Sequence, residues 1–463
     1  MQFNLKPPYN GIAQDKFFWD NGECAYMENI DNEQMRYARL APTYTLIGGS
    51  PWWNTWVTTN VNQMSDTPAW LITCGDSVIL LGWTNESATL AGAKRHEYIF
   101  DASGNQINYF IDNTNVYQVN AAISAIAATD AHAAGTWNVT ASCLIYNEIL
   151  YAKGSTILKY DTTTTTATSL ASSIPIYTGS TVKYMYFYND MVYIVTVRGY
   201  DTIIYLVQYT WSGYGIYGKE LIQWEVCVWA VGNGAIVYWI TTNKIYGFSG
   251  VNSQLIRYIG TNNSFEEATF TATPSLAYNA GFLYIAAWPY IWKYGSKYQG
   301  RRASLTKKSF SSWILGITGV YIQLQATTNY IYTDSNKYPD SGFFITLPFD
   351  AGDYSEVKTD LKFRVGYQLK TGTSITIGVM TDLMEMTNTT TYADVVTLSD
   401  TSKRVSYISV QEILTALGSN TPEWQYLRFK VTLTWGAGSS WLRVNTPTIY
   451  DITSLYEEAE NNL

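Results

Sequence analysis

Residues 145–170 read IYNEILYAKGSTILKYDTTTTTATSL. Two short apolar runs alternate with polar positions. One passes through Asn147 to Tyr151 and stops at a Gly154-Ser155 turn; the other ends at Tyr160-Asp161, ahead of a run of threonines. A period of two over such lengths predicts half-buried strands. The same grammar recurs in SGNQINYFIDNTNVYQVN, FYNDMVYIVTVRGYDTIIYLVQY, VGNGAIVYWITTNKIYGFSG, AYNAGFLYIAAWPYIWKYG and QATTNYIYTDSN. Each unit has an asparagine at a tight turn, a strand rich in aromatic residues, a short turn and a second strand. The asparagines are Asn105, Asn147, Asn189, Asn233, Asn279 and Asn329, spaced by 42, 42, 44, 46 and 50 residues. Asparagine suits such turns because it tolerates left-handed backbone and bonds to its own turn through its side chain.

A repeat of this length holding several strands predicts a β-propeller, in which each small sheet buries its faces against its neighbours. The count is about six blades, within a range of five to seven, over residues 51–341. TCGDSVILLGW (73–83) reads as an earlier, less regular unit, and the Asn329 unit reads as truncated. Residues 1–50 mix charged and apolar positions and predict an extended arm with little core of its own. From 342 the period is lost. Some seven alternating strands over residues 342–463 predict a β-sandwich. One short helix interrupts them: Ser409 and Glu412 form a Ser-x-x-Glu capping box, Gly418 ends the helix, and Ile413, Leu414 and Leu417 form its apolar face. The last residues, YEEAENNL, form an acidic tail.

Composition supports the all-β reading. Aromatics are 16% of the chain, with 39 Tyr and 17 Trp, and half-buried strands select such residues. The net charge is −8, against the surface of a protein that grips nucleic acid by neutralising phosphates. The N-terminus shows no signal-peptide pattern, and no run approaches a membrane span. Cys24, Cys74, Cys143 and Cys227 lie too far apart for a metal-type pair, which fits a reducing cytoplasm.

Motifs that resemble chemistry fail on context. Gly213, Gly215 and Gly218 in GYGIYGK match a dinucleotide fingerprint, but a strand-like, Trp-rich run follows where a helix is needed. They predict an inter-blade loop. Ser304 and Lys307 match Ser-x-x-Lys but fall in what reads as a polar loop. His96 and His132 are the only histidines, 36 residues apart. Asp334, Asn336 and Asp340 resemble a calcium loop whose twelfth position is Ile345 instead of Glu. Hence no catalytic, cofactor or metal residue is assigned, and the chain is read as a non-enzyme. One segment stands out. Residues 293–308 carry Lys293, Lys297, Arg301, Arg302, Lys307 and Lys308 and no acid. They are candidates for contact with an acidic partner surface, including Glu457, Glu458 and Glu460 of another subunit.

The order of parts resembles a family. Glu28, Asn29, Ile30, Asp31, Arg36 and Arg39 stand in an ENvD…R pattern in the arm. Near the C-terminus, Arg428 and Phe429 precede a strand, and Thr446-Pro447 opens the final one. With the propeller and sandwich between and after them, these features are similar to the tail nozzle or hub proteins of short-tailed bacteriophages. The resemblance implies a virion tail protein assembled in the host cytoplasm. It implies a ring, hexameric by preference, below the portal and adaptor, which retains DNA, lets it pass without tight binding and offers attachment to fibres or spikes. Few charges and many aromatics also suit subunit interfaces. The alternative is a carbohydrate-binding or carbohydrate-cleaving propeller whose tryptophans stack on sugar rings.

Overall fold

The computed structural model describes most of residues 3–456. The longer stretches outside the description are 14–22, 49–60, 64–69, 87–94, 120–125, 132–137, 297–302, 351–360, 382–391, 420–425, 436–445 and 457–463, and residues 44–86 are described by backbone alone. Apart from one helix, Val410–Leu417, the regular secondary structure of the described residues is all strand. None of their helices is long and apolar enough to cross a membrane.

Seven four-stranded antiparallel units succeed one another among the described residues. The first spans 61–86, the second 95–131, the third 139–169, the fourth 181–222, the fifth 229–258, the sixth 276–309 and the seventh 313–334. In the first six, consecutive strands pair in order. The first strands of units two to six lie beside one another: Arg95–Phe100, Val139–Ile145, Thr181–Tyr188, Trp229–Asn233 and Leu276–Asn279. This is the blade arrangement of a β-propeller. The cores lie between sheets, as stacking requires. Units three and four share Cys143, Ile145, Leu150, Met185, Val192 and Ile194, and units four and five share Val195, Ile204, Ala230, Val237 and Trp239.

The seventh unit explains why its sequence reads as truncated. Its fourth strand is Tyr44–Gly48, which pairs with Asn329–Asp334 in the register Ile331↔Gly48 to Asp334↔Tyr44. About 280 residues separate the partners, beyond the reach of any periodic reading. The expected count of about six therefore becomes seven units.

The turn asparagines fall as expected in one respect. Asn147, Asn189, Asn233 and Asn279 all sit at the hairpin joining the first and second strands of their units. Their places within it differ. Asn147 is the second loop residue and Asn189 the first, whereas Asn233 and Asn279 end the preceding strand. The constant feature is positive φ at the first loop residue, held by Tyr146 (50°), Asn189 (51°), Gly234 (55°) and Ala280 (48°). Two-residue hairpins need this to match strand twist. Asn329 lies out of register: it opens the third strand of its unit, paired with Gln325 of the second. At Ala280 a side chain occupies left-handed backbone. Ala280→Gly is therefore expected to stabilise the chain by about 0.5–1 kcal/mol in urea denaturation, and a loss would show that the methyl group packs usefully.

The C-terminal residues build two further sheets with help from the arm. One joins Leu361–Gln368, Val405–Ser409 and Thr448–Tyr456 to arm strands Phe3–Leu5, Ile30–Asp31 and Ala38–Leu40. The other joins Ser341–Ile345, Phe349–Asp350, Thr373–Thr381, Ala393–Leu398 and Tyr426–Trp435 to Tyr26–Glu28. Phe363, Val365 and Tyr367 of the first sheet share one buried cluster with Ile375, Ile377, Phe429 and Val431 of the second. The rings of Phe363 and Phe429 stand 4.8 Å apart at 69°. Arg428 and Phe429 lie inside a strand and do not precede it; Thr446-Pro447 does stand just before the last strand. The helix caps follow the sequence reading: Ser409 accepts from the Glu412 N–H, Glu412 reaches back, and Gly418 is left-handed at φ 67°. Ile413 and Leu414 are buried, with Leu417 packed beside them.

The arm also adds Gly11–Ile12 and Glu23–Cys24 to the sixth unit, and Gly11 pairs parallel with Leu305. Only glycine fits there. Its φ is +77°, and a Cβ would stand 2.5 Å from the Leu305 carbonyl oxygen.

Candidate functional site

The basic segment is not a loop throughout. Lys293 lies in strand Tyr290–Gly295, and Lys307 and Lys308 lie in strand Ser304–Ser309. Lys297, Arg301, Arg302, Glu457, Glu458 and Glu460 fall outside the described residues. Lys307 is 1% exposed. Its ammonium stands 3.7 Å from the ring centre of Tyr26, 4.0 Å from Tyr290 and 4.8 Å from Trp292. A lysine enters such a position because its four-carbon stem packs as an apolar side chain while the charge meets ring faces. Lys307 thus leaves the set of residues open to a partner. Lys293 lies 3.8 Å over Phe282, and Lys308 is half-buried. Ser304 and Lys307 are three apart on a strand, hence on opposite faces, and Ser304 Oγ donates to the Gly295 carbonyl at 3.4 Å. Gly213, Gly215 and Gly218 likewise stand in a strand, Gly213–Ile222, the outermost of the fourth unit, and not in a loop.

The arm residues that carry the family resemblance meet at the same place. Asn29 adopts φ 57°, donates through Nδ2 to Ser309 Oγ at 2.8 Å and accepts from the Ser309 N–H at 3.0 Å. Its own N–H donates to the Lys307 carbonyl at 3.0 Å, and its carbonyl accepts from Ala41 N–H at 2.8 Å. Two residues on, Asp31 Oδ2 accepts from Nε and Nη2 of Arg39 at 3.0 and 2.9 Å. Both partners are buried. Ile30 is buried between them, and Glu28 accepts from Tyr26 at 3.3 Å. Arg36 is outside the described residues. This junction clamps the arm to the sixth unit on one side and to the C-terminal sheets on the other.

A second site lies among the first strands of units two to five. A cavity of about 670 Å³ is lined by Arg95, Glu97, Ser142, Lys183, Tyr184 and Trp229, with other residues of the same strands. Ser142 Oγ donates to Glu97 Oε1 at 2.5 Å, Arg95 donates to the Thr140 carbonyl, and its guanidinium lies 5.7 Å from the Trp229 ring. Tyr184 Oη accepts from the Gly232 N–H at 3.0 Å. Desolvation pushes the Glu97 carboxyl up to about 7, against the opposing pull of Ser142 and Arg95. The same burial lowers Arg95 to about 10 and holds the Cys143 thiol well above its ordinary value. The arrangement offers a small polar molecule two cations, a carboxyl near its midpoint at neutral pH and aromatic walls. Sequence reading missed it because these residues come from four different units and no spacing joins them. Among the described residues, no group of three His, Cys, Asp or Glu could hold a metal ion.

Glu97 carries a pH dependence. Its folded value lies above the ordinary carboxylate value, so the folded chain binds the extra proton between about pH 4.5 and pH 7. Stability from this group falls as pH rises through that window and stays low above it. Glu97→Gln keeps an acceptor for Ser142 and removes the titration. It is expected to stabilise the chain at pH 8 by about 1–2 kcal/mol, allowing for the partial exposure of the site, with little effect at pH 5. Equal effects at both values, by urea denaturation, would contradict this.

Compared by sequence, the chain matches no family model and no curated protein. Compared by structure, it is similar to several solved proteins, among them a domain named as a β-propeller and one named as WD40. The β-propeller domain of Cps50 (Swd1) from Myceliophteria thermophila is 9% identical, with 63% of this chain and 100% of that one covered and a TM-score of 0.44. The Pan2 WD40 domain of Neurospora crassa is 11% identical, with 64% and 96% covered and a TM-score of 0.43. The computationally designed Ika8 protein is 11% identical, with 62% and 98% covered and a TM-score of 0.39. Likenesses this distant carry no functional argument.

Proposed function

We propose that the chain is a structural subunit of the tail of a tailed bacteriophage. In this reading seven blades close into a ring pinned by Tyr44–Gly48, and the two C-terminal sheets form a β-sandwich. Six copies make a nozzle or hub below the portal and adaptor, pass DNA without gripping it and carry fibres or spikes. The observation that carries the reading is the junction at Asn29, Asp31, Arg39 and Lys307. Of the residues on which the family resemblance rests, Asn29 bonds the arm to Ser309 of the sixth unit and to the Ser341 carbonyl of the C-terminal part, and Arg39 pairs with Thr448 of the last strand. A subunit that must transmit load between neighbours needs its parts tied in this way. The chain's net charge of −8 fits a conduit that does not retain phosphates.

Subunit contacts fall to Lys297, Arg301, Arg302 and Lys308 against Glu457, Glu458 and Glu460 of a neighbour, with Lys307 withdrawn from the set. Each exposed pair contributes about 0–1 kcal/mol, so several must act together. Purified chain is expected to form six-fold rings in electron micrographs, with or without the portal, and a neutral or acidic lumen. Combining Arg301→Glu, Arg302→Glu and Lys308→Glu should weaken assembly at low salt and leave the monomer's melting temperature unchanged. A chain that stays monomeric at every concentration, alone and with portal rings, overturns the reading.

A further inference from the structure

The cavity among the first strands of units two to five is graded from end to end. Contacts between neighbouring strands align them in one direction: Arg95 donates to the Thr140 carbonyl, and two residues on Glu97 accepts from Ser142. Two cations sit near the strand starts. The Arg95 guanidinium lies 5.7 Å from the Trp229 ring. Lys183 is close enough to Cys227, two residues before Trp229, for its charge to oppose the rise that burial gives that thiol. The Glu97 carboxyl comes next along the wall. Towards the strand ends the wall turns aromatic. Tyr146 stands 5.4 Å from Phe187, and Tyr98 stands 5.9 Å from Phe100. Phe100 is 55% and Tyr146 59% exposed, so the cavity opens to solvent at this end.

Among the described residues that line the cavity, Arg95 and Lys183 are the cations and Glu97 is the carboxylate. A simple acid would meet the cations but be opposed by Glu97. A simple base would meet Glu97 but be opposed by the cations. A molecule with both charges on one carbon satisfies all three groups. We propose that the cavity binds a free aromatic α-amino acid. Its carboxylate meets Arg95 and Lys183, its ammonium meets Glu97, and its ring lies towards Tyr146, Phe187 and Phe100. The volume of about 670 Å³ is in the range of small-molecule sites. The ammonium would also give the desolvated Glu97 carboxylate a counter-charge. The inference goes beyond any role in a phage tail, since it concerns the interior of a single chain.

The test is titration calorimetry on the intact chain with phenylalanine, hydrocinnamate, phenethylamine and alanine. The last three lack the ammonium, the carboxylate and the ring in turn. Phenylalanine is expected to bind, and each of the others to bind weaker by about tenfold or more. Lys183→Gln should weaken phenylalanine by about tenfold while the melting temperature holds. Glu97→Gln should weaken phenylalanine and leave hydrocinnamate as tight or tighter. The ammonium needs Glu97 ionised, and its carboxyl titrates at about 7. The titratable groups that face it are Arg95, Cys143 and Tyr184, with Lys183 on the same wall; burial keeps the thiol and the phenol neutral across this range. Affinity for phenylalanine should therefore rise by about tenfold from pH 6 to pH 8, and Glu97→Gln should remove that slope. The ligand series needs no variant to fold. The proposal fails if no aromatic amino acid binds at millimolar concentration, if hydrocinnamate binds as tightly as phenylalanine, or if binding ignores both Lys183→Gln and Glu97→Gln.

Discussion

Lys307→Ala is expected to lower the unfolding free energy by about 3 kcal/mol. A desolvated ammonium over aromatic faces contributes about 2 kcal/mol, and the stem it removes leaves a cavity between the arm and the sixth unit. Lys307→Met separates the two terms. It keeps the stem and relieves the cost of burying a charge, so it should recover most of the loss. Lys307→Glu reverses the charge against three ring faces and should be the worst of the three. Tyr26 belongs to the arm whereas Tyr290 and Trp292 belong to the sixth unit, so the destabilised variants should also expose the arm to limited proteolysis first. Urea denaturation that places Lys307→Ala within about 0.5 kcal/mol of the parent would show that the cage does not hold the junction.

Asp31→Ala should cost as much or more, about 3–5 kcal/mol, because it leaves the Arg39 guanidinium buried without its carboxylate. Replacing both partners by apolar residues of similar size, Asp31→Leu with Arg39→Met, should return most of that stability. The four-way comparison then gives a coupling energy well above the few tenths expected of exposed pairs. If the double replacement is as unstable as Asp31→Ala, the pair contributes through geometry that apolar side chains cannot reproduce, and the charge argument fails. Either outcome bears on the resemblance, because Asp31 and Arg39 are among the residues that carry it.

Local features were legible from the chain alone. The blade hairpins at Asn147, Asn189, Asn233 and Asn279 follow from turn chemistry and period-two alternation, both of which act over a few residues. The helix Val410–Leu417 follows from its caps, Ser409 with Glu412 and the left-handed Gly418. These signals depend on backbone groups next to the residues that write them, so sequence order and spatial order coincide. The register of single residues within a hairpin was less legible, since Asn, Gly, Tyr and Ala all occupy the same left-handed position here.

Pairing across distance was decided by the tertiary structure. Tyr44–Gly48 completes the seventh unit because an unpaired strand edge takes the best available partner, wherever it lies in the chain. The loop reading of residues 304–309 failed for a related reason: a lysine-rich strand looks polar until three rings from two parts of the chain surround Lys307. Glu97, Ser142 and Arg95 meet only because adjacent units place their first strands side by side. Strand, turn, cap and repeat have local causes and so are written in the order of residues. Burial and charge environment arise from contacts between distant segments, and only the folded chain assigns those to particular residues.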